Sequence, residues 1–379
     1  MIDFRFDRAF NLNGFPQHAP TMNMRLSSFL LAGLAATTAL AAPKPDYVLE
    51  AIAPNLISGF FSAGETPVLK IKSGQVVEVE TLALMGLSDD HPEQFFIDHN
   101  ISLDLPAVKK MIAVKQALKG TGVSSAPLTG PIYVEGASPG DTLEVRILDI
   151  KSFTPFGINV GNPGKGGIPD LVPRPYSKVI FFDLERNVAK FGPGIEVPLR
   201  QFQGMMAVAP APERGKLPMR PPYPDIGGNM DNKRLTTGAT VYFPVHVDGA
   251  LFHIGDPHAA QGDGEVSQSA IESSNVVTVQ LIVRKDLHIK IVRAETPTHY
   301  ISIGLDPDLN VAMHSAIAET VQFLQERKQL SFFDALSLAS VGVDYEVTEV
   351  VDVTKGVHGM IPKSLFKTEE PYWYTPSSG

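Results

Sequence analysis

Cysteine is absent from all 379 residues. That excludes disulfides, iron–sulfur clusters, thiolate zinc sites and cysteine nucleophiles. Any catalysis must use oxygen and nitrogen groups, with or without a metal ion. Charge is also scarce, at 19% of residues, and 32 Lys and Arg face 41 Asp and Glu, a net of −9. A chain without a basic run is a poor binder of nucleic acid, because that affinity comes from Lys and Arg on phosphates. After the N-terminal region no segment is apolar for long enough to span a bilayer. Glycine (32) and proline (31) are instead plentiful, together about 17% against a usual value of about 12%. That excess is too small for collagen or a low-complexity chain and favours many turns and short elements.

The segment from Met24 to Ala41 reads as a secretory signal. Arg25 precedes an apolar run, and Ala39-Leu40-Ala41 places small residues at the two positions the peptidase reads. A buried N-terminal helix is the alternative for the same run. Residues 1–21 precede Met22 and Met24 and carry no pattern. The expected organisation is an N-terminal extension and signal over 1–41, followed by one working unit over 42–379. The expected location is the periplasm or beyond, with no membrane association after cleavage.

Strand patterns dominate from about residue 67 to 303. Gln75 to Leu82 alternates polar and apolar residues, as a half-buried strand does. Pro131–Glu135 and Thr142–Ile150 flank a Pro-Gly-Asp corner. Val179–Leu184 and Val188–Phe191 predict a hairpin, and Ala239–Val247 with Ala250–Ile254 predicts another around Asp248-Gly249. Asn275–Lys285, Leu287–Val292, Thr298–Ile303 and Tyr345–Val353 complete the expected strands. Helices are expected only late. One starts at Asp306-Pro307-Asp308, and a second runs from a Ser331 cap through Ser340. The fold class that follows is mainly β with an α+β part. Its core is a β-sandwich or barrel of antiparallel strands, joined by two late helices.

The densest chemical candidate is Gly255-Asp256-Pro257-His258-Ala259-Ala260-Gln261-Gly262-Asp263-Gly264-Glu265. Asp256 and His258 are two apart, so an extended strand places them on one face. A carboxylate and an imidazole meeting there can hold Zn²⁺ or a similar ion. Asp263 and Glu265 can do the same or serve as a general base. The competing reading is a turn whose carboxylates bind nearby backbone N–H groups. Gly227-Gly228-Asn229-Met230-Asp231 is a second candidate, where glycines let backbone approach a ligand; its alternative is a surface turn. Glu80 is a third, beside Glu78 on a face that is solvated by default. Gly161 to Gly167 lacks the Lys-Ser/Thr pair of a phosphate loop. Gly136-Ala137-Ser138-Pro139-Gly140 has the Gly-x-Ser-x-Gly spacing, but it reads as a corner between two strands and not as the strand-to-helix turn of a nucleophile elbow.

These strings together resemble the acetamidase/formamidase family. The carrying segments are Pro127–Ile132, Gly136–Asp141, Gly227–Asp231 and Gly249 to Glu265. Ala270-Ile271-Glu272 and Val350-Val351-Asp352 through Gly356–Lys363 carry it further. The resemblance covers nearly all of 42–379, in order. It implies hydrolysis of short linear amides, a largely β fold and association into homo-oligomers. Ala126 stands where many relatives have His, and an exported member is unexpected.

On this reading the substrate is a small amide and the nucleophile a water activated by a divalent metal, zinc in the first instance. Asp256 and His258 are assigned as metal ligands, with Asp231 and, more weakly, Glu80. Glu265 and Asp263 are assigned to acid–base catalysis. Asn229, Gly228 and Gln261 are assigned to substrate. Two rival readings stay open: an exported, non-catalytic binding protein on the same scaffold, favoured by Ala126, and a metal hydrolase of a larger or cyclic amide.

Overall fold

The computed structural model describes residues 44–122, 126–367 and 371–374. The segment expected to be a secretory signal therefore lies outside the described residues. Two large sheets are built by alternating strands. The first has nine strands, in the order 47–49, 76–81, 275–284, 142–152, 240–244, 293–295, 299–306, 354–362 and 344–352. The second has eleven, with Phe252–Ala260 flanked by Phe202–Ala207, Leu128–Glu135 and Ile271–Glu272. Among the described residues, the strand ladders are antiparallel apart from two, Tyr47–Leu49 on Val76–Thr81 and Leu69–Lys72 on Leu128–Glu135.

The sheets share one core. Val77, Val79, Leu143, Val145, Ile147, Phe243 and Val279 of the first meet Leu128, Ile132, Met206, Phe252 and Ile254 of the second. Each fully buried side chain of this size stabilises the fold by roughly 1.5–3 kcal/mol. The alternation in Val76–Thr81 is what faces Val77 and Val79 inward, while Glu78 and Glu80 are only partly buried.

Chain corners move strands between sheets. At Ser138–Asp141 the Asp141 carboxylate accepts the Ser138 N–H at 2.8 Å and closes the turn. The Asp248-Gly249 corner does the same work, so the hairpin expected around it does not form. Thr240–Pro244 belongs to the first sheet and Phe252–Ala260 to the second. Ala250 and Leu251 follow Gly249 in left-handed backbone, at φ 58° and 53°, which swings the chain out of register with the strand it left. The 188–192 strand does pair with 176–183 as a hairpin.

Two further expectations are corrected. Leu287–Val292 is not a strand, and the short strand Arg293–Glu295 lies just beyond it. Helices also occur early: α1 (Pro92–Asp98) and α2 (Pro106–Ala117) precede the late α3 (Leu309–Lys328) and α4 (Phe332–Gly342). Each early helix opens on a proline, which donates no hydrogen bond and suits a first turn. Phe95, Phe96, Val108, Met111 and Val114 then pack with Leu82, Leu84 and Phe156 as a second, smaller core.

The late helices have the expected caps. Asp308 accepts the N–H of Asn310 at 2.7 Å, and Ser331 Oγ accepts that of Asp334 at 3.1 Å. Pro307 precedes the cap rather than occupying the first turn. α3 lies on the strands 299–306 and 354–362, and Gly304 makes that approach possible. A Cβ at Gly304 would meet Ala312 O at 2.0 Å, so any larger residue there would push helix and sheet apart.

Candidate active site

Phe252–Ala260 supplies the centre of the site. Asp256 and His258 do face one another, with His258 Nε2 3.6 Å from Asp256 Oδ2. The neighbouring strand adds Glu272, paired in register with His258, whose Oε2 lies 3.2 Å from the same nitrogen. On the other side Phe202–Ala207 runs antiparallel and presents Gly204. Beyond it, Asn229 pairs in register with Met205 and leads to Asp231. The loop after Ala260 returns Glu265. The strand Asp344–Asp352 ends at Asp352, against Asn229.

The result is a cluster of five acidic side chains, Asp231, Asp256, Glu265, Glu272 and Asp352, around His258, and all six residues are buried. Asp231–His258–Glu265 and Asp256–His258–Glu272 each bring their ligand atoms within 4.8 Å of one another. Three of the acids sit in left-handed backbone: Asp231 at φ 44°, Asp256 at 54° and Glu265 at 45°. Non-glycine residues held there cost roughly 1–3 kcal/mol each and cluster at functional sites.

Two hydrogen bonds fix the imidazole. Gln261 Oε1 lies 3.0 Å from His258 Nδ1, and Gln261 Nε2 donates to Asp231 O at 2.7 Å. Since the amide oxygen can only accept, Nδ1 carries the proton and Nε2 faces the carboxylates. Phe202 packs edge-on against the ring at 4.9 Å.

Among the described residues, positive charge is nearly missing from this centre. Burial, then neighbouring carboxylates, push Asp231 well above the usual carboxylate range. Burial raises Glu265 against the opposing pull of His258, and it also raises Glu272 and Asp352. For His258, burial opposes protonation, but Glu272 and Asp256 together outweigh it and raise the imidazole well above its ordinary value. Arg220 is the cation at the rim, 3.5 Å from Asp352.

A divalent cation fits this arrangement. Neither oxygen of Asp231 and not Oε2 of Glu265 receives a hydrogen bond among the described residues, although all three atoms are buried. Gly204 leaves the necessary space. A Cβ there would stand 2.4 Å from Asp231 Oδ1, 2.8 Å from Asp256 Oδ2 and 2.9 Å from His258 Cε1. One imidazole with several carboxylates is a donor set for first-row metals such as zinc.

Asp256, Glu265, Glu272, Asp352 and Asn229 line a cavity of about 400 Å³. Asn229 Nδ2 donates to Asp352, while Asn229 Oδ1 is buried with no hydrogen-bond partner among the described residues. It is an open acceptor beside the acids.

Four of the assigned residues take other places. Glu80 accepts from Ala51 N at 3.0 Å and is ion-paired with Lys110, so its carboxylate is already engaged outside the cluster. Asp263 pairs with Lys233 at 2.6 Å and groups with Glu346 and His358, where Arg234 supplies a second cation. Gln261 holds His258 and Asp231 rather than reaching into the cavity. Gly228, at φ 106°, seats the strand against Pro221 and Phe61. Sequence reasoning assigned no role to Glu272, Asp352 or Gly204. The signals were there: Ala270-Ile271-Glu272 and Val350-Val351-Asp352 carried the family resemblance, and a glycine inside the strand Phe202–Ala207 marks a close approach.

Comparison with known proteins bears out the family resemblance. A profile of the Acetamidase/Formamidase family matches residues 122–217 and 218–368. The chain is 30% identical to a crystallised acetamidase from Bacillus halodurans, with a TM-score of 0.70, covering 84% of this chain and 98% of that one. An acetamidase from Yersinia enterocolitica matches at 26% identity and a TM-score of 0.69, over 86% and 94% of the two chains. By sequence, an acetamidase of Mycolicibacterium smegmatis is 26% identical over 230 residues, 45% of this chain and 55% of that protein. A formamidase of Methylophilus methylotrophus is 29% identical over 210 residues, 42% of this chain and 52% of that one. The matched segments span about half the length of these curated relatives. The family profile over most of the chain and the near-complete coverage of the Bacillus halodurans protein place this chain in the acetamidase/formamidase family.

Proposed function

We propose that the protein hydrolyses the C–N bond of a short linear amide, such as formamide or acetamide, to the carboxylic acid and ammonia. The observation that carries this reading is the donor-poor cluster of buried acids around His258, at the wall of a cavity. Relatives named acetamidase and formamidase support the choice of amide.

An amide is a poor electrophile with a poor leaving group. Its hydrolysis needs an activated water, stabilisation of the oxyanion and a proton for the departing nitrogen. In this reading His258 Nε2, Asp256, Glu272 and Asp231 hold a divalent ion, zinc by its donor set. When bound, such an ion lowers the pKa of water toward neutrality and polarises a carbonyl. Glu265 Oε2 takes the proton of the attacking water and returns it to the leaving nitrogen. Burial suits it to that task, because it raises the carboxyl well above the ordinary carboxylate range and makes it a stronger base. Asn229 Oδ1 accepts an amide N–H of the substrate, while its Nδ2 stays on Asp352. Gln261 keeps the imidazole in the tautomer the ligand role requires.

Export rests on the Met24–Ala41 segment, and a homo-oligomer on the family resemblance. No helix of the described residues is long and apolar enough to cross a membrane. The decisive experiment pairs elemental analysis of the purified protein with ammonia release from formamide and acetamide. His258→Ala is expected to lose both metal and activity. Full activity in metal-free His258→Ala protein would overturn the assignment. Ala126, which lines the cavity, is the feature that favours a non-catalytic binding protein. That reading requires neither metal nor ammonia from the wild type.

A further inference from the structure

We propose that the acyl group of the natural substrate is larger than acetyl, an unbranched apolar chain of several carbons. This rests on the amidase reading above and concerns the same cavity. Its volume is about 400 Å³. A water needs roughly 10–15 Å³ of such a cavity, so acetamide and the attacking water together leave most of it unfilled.

Part of the lining is apolar, while Ser58, Gln268 and Arg220 add polar groups to the carboxylates and Asn229. Met85, Ala126, Met205, Pro218 and Met219 form the wall that accompanies the carboxylates. Met205 and Met219 are themselves buried in the core, so this wall is held from behind. Thioether side chains adapt to the shape of what they contact, and the short side chain of Ala126 leaves space in front of them. Arg220, the one cation of the cavity among the described residues, is 3.5 Å from Asp352. The wall, not a charge, then selects the acyl group. A formyl group puts no carbon on such a wall, and acetyl one. Each further methylene buried there should raise kcat/KM by about fourfold until the space is filled.

The test is ammonia release by the purified, metal-containing protein from formamide, acetamide, propionamide, butyramide and valeramide. We expect kcat/KM to climb through the series, with butyramide at least tenfold above acetamide. Two variants probe the wall itself. Ala126→Phe should lower the butyramide-to-acetamide ratio at least tenfold, and Met219→Ala should move the optimum to a longer chain. A wild-type kcat/KM that falls with each added carbon would overturn the inference and leave the amidase reading standing. Release from no amide of the series would overturn both.

Discussion

Gly204→Ala places one methyl group where the ion is proposed to sit. The backbone tolerates the change, because the φ of Gly204 lies outside the left-handed region. The added Cβ would stand 2.4 Å from Asp231 Oδ1, whereas ordinary contact begins at 3.4 Å. The carboxylate must retreat by about 1 Å, and Asp256 Oδ2 by somewhat less. Zinc–oxygen bonds are about 2.0–2.2 Å long and tolerate changes of only about 0.2 Å. The displacement exceeds that tolerance about fivefold. Metal affinity should fall by at least about 100-fold, and ammonia release with it. Overpacking of this kind costs about 1–3 kcal/mol, which a domain stable by about 5–15 kcal/mol survives. Three readouts on one preparation suffice: metal per chain, ammonia release, and the midpoint of urea unfolding. A folded Gly204→Ala protein that retains metal with wild-type affinity would refute the placement of the ion.

Gln261→Leu removes the acceptor on His258 Nδ1 and should weaken metal binding by about 10- to 100-fold, read by competition with a chelator. Glu349 gives a pH signature. Burial, then the Asp352 carboxylate, raise it from 4.5 to about 7. Its contribution to stability is therefore complete below pH 4.5 and is lost as pH rises through 7, about 3 kcal/mol in all. Glu349→Gln keeps an acceptor for the Val351 and Asp352 N–H groups and should flatten the pH dependence of unfolding of metal-free protein across that window. Glu80→Gln weakens the pair with Lys110 and should cost about 1 kcal/mol in a thermal melt. Metal content should not change, and its loss would return Glu80 to the ligand set.

The parts of the fold legible in sequence are those set by neighbours in the chain. Alternation placed Val77 and Val79 inside and Glu78 and Glu80 on the other face. Side-chain oxygens at Asp308 and Ser331 started α3 and α4. The Asp248-Gly249 corner misled because a tight turn specifies a reversal and not the sheet that receives the next strand. α1 and α2 escaped because short helices draw their stability from the small core around Phe95, Phe96 and Met111, not from a long periodic face.

The candidate site divides in the same way. A two-residue spacing was enough to bring Asp256 and His258 together, since side chains repeat every second residue in a strand. The glycines at 227 and 228 likewise marked the approach of backbone around Asn229 and Asp231. Membership of Glu272 and Asp352, and the space at Gly204, came only from pairing between strands far apart in sequence, as in the His258–Glu272 register. The pairing of Glu80 and Asp263 with Lys110 and Lys233 is likewise a product of tertiary structure, which delivered those cations to them. Chain-local geometry thus determined which side chains share a face. The long-range hydrogen-bond ladder decided which faces meet, and which carboxylates were left without a cation.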